Sequence, residues 1–142
     1  MTVPSPTTVR QAAALVALEG AAGLVAAVVY VISGVGSGEQ PGMNKFGTAA
    51  WFAIIGGAVL AAGWALWTGR RWGRGLAVFA QLLLLPVAWY IAVGSGQWAY
   101  GVPVGIVALI TLVLLFSPSA VQWLGAQGDS SASADNSGPD TR

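Results

Sequence analysis

The sequence predicts an all-α membrane protein: a four-transmembrane-helix bundle with both termini cytoplasmic. Three observations predict it. Hydrophobic residues make up 56% of the 142-residue chain and charged residues only 8%, against about 25% charged in a soluble domain. Mean hydropathy is +0.71. The apolar residues gather in four stretches, each close to the roughly 20 residues that cross a hydrocarbon core of about 30 Å.

Taken in order, residues 1–9 are rich in Pro and Thr and are expected to form a disordered N-terminal tail. Residues 10–117 form the transmembrane domain. Its spans run from about 12 to 32, 46 to 67, 76 to 93 and 98 to 116. Backbone groups in lipid must be satisfied within their own segment, so each span is a helix. The first apolar run exceeds the roughly 7–15 residues of a signal-peptide core and is read as a membrane span. The breaks are turn chemistry: SGVGSGEQPG (33–42), TGRRWGRG (68–75) and GSGQ (94–97). After the fourth span, Ser117 followed by Pro118 reads as an N-cap and a first helical position. A short interfacial helix over 118–124 follows, with Trp123 at headgroup level. Residues 125–142, small, polar and acidic, are expected to be a disordered C-terminal tail.

Basic residues in short loops set orientation. Arg70, Arg71 and Arg74 lie in the second loop, Lys45 alone stands by the first, and the third has none. The second loop is therefore cytoplasmic, and with four spans both termini are too, in agreement with Arg10. The same arginines are candidates for holding lipid headgroups, although three fall short of the roughly 4–8 basic residues of a specific lipid site. Trp51, Trp89, Tyr90, Trp98 and Tyr100 fall near the outer boundary, and Trp64, Trp67, Trp72 and Trp123 near the inner one, as interfacial aromatics do.

Composition excludes much chemistry. The chain has no His and no Cys, which removes the usual zinc sites, haem ligation by those residues, thiol catalysis, Ser-His-Asp triads and disulfides. A net charge of +1 gives no footprint for nucleic acid. No catalytic, cofactor-binding or metal-ligating residue is assigned, and no cofactor is expected.

Glu19 is the sharpest signal: an ionisable side chain well inside a span, expensive there and functional by default. It suggests a proton- or cation-coupling carboxylate; the plainer reading is a structural carboxyl hydrogen-bonded across helices. Gln81 and Thr111 lie at matching depth by the 1.5 Å rise per residue. Glu19, Gln81 and Thr111 are thus a candidate polar layer, although Thr111 can also bond back to its own helix. In the second span Ala49, Ala53, Gly57, Ala61, Ala65 and Gly69 recur every four residues, a candidate face for close helix packing. Gly20 and Gly23 add a close-approach surface on the first span. Pro86 and Pro103 are read as the ordinary tolerance of membrane helices for proline.

GRRWGRGLAVFAQLLLLPVAWYIA (69–92), LVALEGAAGLVAAVVY (15–30) and LVLLFSPSA (112–120) resemble a pattern found in uncharacterised small four-helix integral membrane proteins of actinobacteria. The resemblance covers about residues 10–124 and implies a layout, a lineage and a bacterial plasma (inner) membrane, without implying an activity. A layout shared with small multidrug-resistance transporters, four helices with one Glu in the first, stops at Glu19. Their Glu-x-x-Gly spacing is replaced by Glu19-x-x-x-Gly23, and their second motif has no counterpart.

Two functional readings follow. The first is a non-enzymatic accessory or assembly subunit, embedded in the lipid bilayer, packing through small-residue helix faces as a homo-oligomer or against a larger membrane-protein partner. The second is a small proton- or cation-coupled transporter, working as a homo-oligomer with Glu19 as the coupling carboxylate. An intramembrane enzyme is disfavoured, because Glu19 has no second buried carboxylate to work with.

Overall fold

The computed structural model describes residues 4–36 and 44–135. These residues form helices joined by short turns, with no strand among the described residues. The helices are α1 (Thr7–Gly36), α2 (Lys45–Trp67), α3 (Arg71–Trp89), α4 (Trp98–Leu115) and α5 (Pro118–Asp135). The first four are long and apolar enough to cross a membrane. Four boundaries depart from the sequence reading, the simplest being the start of α3 at Arg71, five residues inside the loop expected over 68–75, where Gly73 packs against α2. Helix α1 begins at Thr7, inside the expected N-terminal tail, because the Pro6 carbonyl accepts from the Val9 and Arg10 amides and starts the first turn. It also runs four residues into the expected first loop, whose remainder lies outside the described residues. At about 45 Å its 30 residues exceed the hydrocarbon thickness, a mismatch that tilt or protrusion accommodates.

The fourth departure is the largest. Residues 125–135, expected as disordered tail, continue the helix that starts at Pro118; the last part of that tail lies outside the described residues. Ser117 starts this helix, its hydroxyl accepting from the Ala120 amide (3.4 Å) and donating to the Leu114 carbonyl (2.8 Å). Packing then fixes it: Leu124 is buried, the Trp123 ring lies against Gly69, and the Arg71 side chain lies against Gly128. A weakly helical Ala/Ser sequence is carried by these tertiary contacts.

Local chemistry explains the other ends. Asn44 caps α2, its Oδ1 accepting from the Gly47 amide at 2.9 Å. At the far end the Gly69 amide donates to Leu66 and the Arg70 amide to Ala65, the bond pair of a Schellman motif. Gly69 supplies the left-handed residue this motif requires, at φ 77°. Helix α3 passes through Pro86 without breaking and ends in one wider, π-helical turn, Tyr90–Gly94, closed by the Ser95 amide on the Tyr90 carbonyl.

The helices pair as two hairpins. In α1–α2 the backbones touch. A Cβ on Gly20 would collide with the Leu60 backbone, one on Gly56 would meet the Gly20 carbonyl at 2.9 Å, and one on Gly63 would meet the Ala17 amide at 2.8 Å. Further along, Tyr30 stacks on Phe52 with ring centres 5.7 Å apart. In α3–α4, Gly101 sits against the Ala88 carbonyl and Ala92. The hairpins meet through Gly73, which nests against Ala62, Ala65 and Leu66. A buried cluster of Ala12, Ala13, Val16, Val59, Ala62, Leu66, Ala77, Ala80, Leu115 and Leu124 completes the junction. Every member of that cluster lies in the half of its helix nearer the α2–α3 turn, or in α5. Elsewhere the bundle presents large apolar side chains outward, among them Val25, Ile54, Trp89 and Val113. An apolar surface this extensive fits lipid and not water.

Candidate functional site: an intramembrane Glu–Gln pair

The only acidic side chain in the four membrane-length helices is Glu19, on α1. It lies nine residues beyond Arg10, about 14 Å along the axis. Gln81 lies ten residues beyond Arg71, about 15 Å along α3. Equal depth brings them together across the hairpin junction. Gln81 is fully buried, and its Nε2 donates to Glu19 Oε2 at 2.5 Å. Glu19 is half-buried, next to Gly20, where α1 runs against α2.

Thr111, the third expected member of the layer, is fully buried but does not join it by hydrogen bond. Its Oγ1 donates to the Val107 carbonyl of its own helix at 2.8 Å. The local carbonyl is always in reach of a helical Thr, so no partner across the bundle is needed to satisfy the hydroxyl.

The Glu19–Gln81 bond leaves two atoms over. Glu19 Oε1 and Gln81 Oε1 are both buried, and neither has a hydrogen-bond partner among the described residues. Each is the second oxygen or carbonyl end of a planar group whose first end is already bonded.

The expected packing face of α2 divides in two. Ala49, Ala65 and Gly69 are buried, whereas Ala53 and Ala61 are exposed, and a Cβ on Gly57 would meet nothing within 4 Å. The reason is geometric. Four residues advance an α-helix by one turn plus about 40°, so a strict four-residue ladder walks around the cylinder. The residues that make the close contact are Gly56 and Gly63, which the four-residue pattern missed. Their seven-residue separation, two turns on one face, was the signal available.

The described arginines gather at the opposite end of the bundle from Lys45. Arg10 lies over the Trp67 ring at 5.2 Å, Arg70 over Trp64 at 5.1 Å and Arg74 over Phe116 at 5.3 Å. These are cation–π distances, and two of the three rings, Trp64 and Trp67, are among the aromatic residues expected at the inner boundary. Arg71 lies along α5 at Gly128. Comparison with protein families, with curated proteins and with solved structures finds no match for this chain. An all-helical fold with four helices long and apolar enough to cross a membrane fits a multi-pass membrane protein.

Proposed function

We propose that the chain is a non-enzymatic accessory or assembly subunit of a bacterial inner membrane, of the lineage suggested by its likeness to small actinobacterial membrane proteins. In this reading both termini are cytoplasmic, since Arg10, Arg70, Arg71 and Arg74 share one end of the bundle and basic residues stay inside. The observation that carries the subunit reading is the open half of the small-residue face. Ala53, Gly57 and Ala61 point away from the bundle, which lets another membrane helix approach closely. The Glu19–Gln81 bond then serves as a polar tie between hairpins.

Gly57→Ile tests this reading. A side chain there meets nothing within the chain, so the fold is untouched and a neighbouring helix is pushed away. The expected result is a wild-type complex larger than one chain on native electrophoresis in mild detergent, and a smaller species for the variant. Identical migration of both as a single chain overturns the reading.

One observation favours transport as a second reading. The unpartnered oxygens of Glu19 and Gln81 leave the pair with capacity to bind a proton or cation. Glu19→Gln then abolishes proton-driven uptake in vesicles, whereas under the subunit reading it leaves the assembled complex at its wild-type size.

A further inference from the structure

We propose that Glu19 and Gln81 form a proton-binding site: a neutral acid–amide pair that holds one proton on Glu19 Oε1 and closes the hairpin junction. The inference stands whether the chain is an accessory subunit or a transporter.

Donors and acceptors at the pair balance only when Glu19 carries a proton. A carboxylate only accepts, and an amide carbonyl only accepts. With Gln81 Nε2 bonded to Glu19 Oε2, an ionised Glu19 leaves two buried acceptors facing no donor, Glu19 Oε1 and Gln81 Oε1. Each unmet group costs several kcal/mol in a hydrocarbon setting. One proton placed on Glu19 Oε1 turns that atom into a donor. It then donates to Gln81 Oε1, while Gln81 Nε2 donates to Glu19 Oε2. The two oxygens left over and the acid proton are then all bonded in one ring, which uses one of the two Gln81 N–H groups, and no charge is buried.

The surroundings supply no competing charge. On α1, Arg10 and Tyr30 lie toward opposite ends, well away from Glu19. On α2 the ionisable residue is Lys45, at the far end. On α3, Arg71 and Arg74 lie in the first turns and Tyr90 past the last. On α4 it is Tyr100, at the outer end. A metal ion is a poor alternative occupant, because Ca²⁺ takes about 6–8 oxygens and Mg²⁺ about six, and two are left over here.

The ring makes a specific demand on substitutions. Glu19→Gln replaces the acid by an amide with one donor and one acceptor in the same places, so the junction persists without a titrating group. Gln81→Leu removes both ring partners and leaves the acid unbonded.

The test is infrared spectroscopy of the full chain in lipid vesicles at neutral pH. The chain has five acidic residues, and the other four lie outside the membrane-length helices, so a protonated-carboxyl stretch at neutral pH belongs to Glu19. The expected result is such a band in the wild type, lost in Glu19→Gln, and shifted in Gln81→Leu to the position of an unbonded acid. Absence of the band from the wild type overturns the proposal, and that arm needs no variant to fold. A band that stays in place in Gln81→Leu overturns the ring.

Discussion

Glycine at positions 20, 56 and 63 is what allows α1 and α2 to share a backbone-to-backbone seam, because each added Cβ would meet main-chain atoms that cannot swing aside. Gly56→Leu is expected to destabilise the bundle by about 1–3 kcal/mol or more, the usual range for overpacking a tight contact. Thermal unfolding in detergent checks this, with Gly75→Leu, where an added Cβ meets nothing within 4 Å, as the control. Gln81→Leu takes away the cross-helix bond, typically worth about 0.6 kcal/mol in a membrane, and strands the Glu19 carboxyl. A double-mutant cycle with Glu19→Leu is expected to show coupling of that order or larger. At this scale the sequence was partly legible. Counting 1.5 Å per residue from the helix ends was enough to put Glu19 and Gln81 at one level. The bond of Thr111 to Val107 is the back-bonding that the residue type already offered as the alternative to a place in the layer.

The ends of the elements were legible only in part. Ser117 was read as a cap from the sequence and is one, whereas the Asn44 cap and the left-handed Gly69 stop became visible only in the structure. Helix α5 was not legible beyond Leu124, because Ala, Ser and Gly leave helix and coil nearly balanced and contacts with the bundle decide between them. Gly69→Val tests the dependence of α5 on that contact. The substitution places a branched residue at positive φ, costing about 1–2 kcal/mol, and drives into the Trp123 ring. The expected outcome is release of α5, read as faster proteolysis within 118–135 and changed tryptophan emission. Ser117→Ala removes one cap bond and is expected to cost about 1 kcal/mol, with slower release than Gly69→Val. The four-residue ladder on α2 failed for the opposite reason. Its spacing was real in the sequence, but a helix of 3.6 residues per turn rotates it out of register.

At the scale of the molecule, the four-helix layout was legible because lipid imposes length and composition directly on the chain. Orientation is a separate matter and yields its own prediction. Replacing Arg70, Arg71 and Arg74 together by Gln removes most of the charge bias around the second loop, and the chain is expected to insert in mixed orientations. Labelling of single cysteines placed near each end, from either side of the membrane, reads this directly; an unchanged wild-type pattern would mean that Arg10 and the aromatic belts suffice. The confinement of the buried cluster to one half of the bundle also governs the order in which the chain is built. Each hairpin has its own glycine seam and is complete as soon as its second helix leaves the ribosome. The junction draws on all five helices, and its polar pair can meet only once α3 has joined the first hairpin. Assembly in two instalments is the expected consequence, the first hairpin carrying a Glu19 whose Gln81 partner is still to come. A chain severed between the hairpins and supplied as two pieces should still find its way to the same bundle.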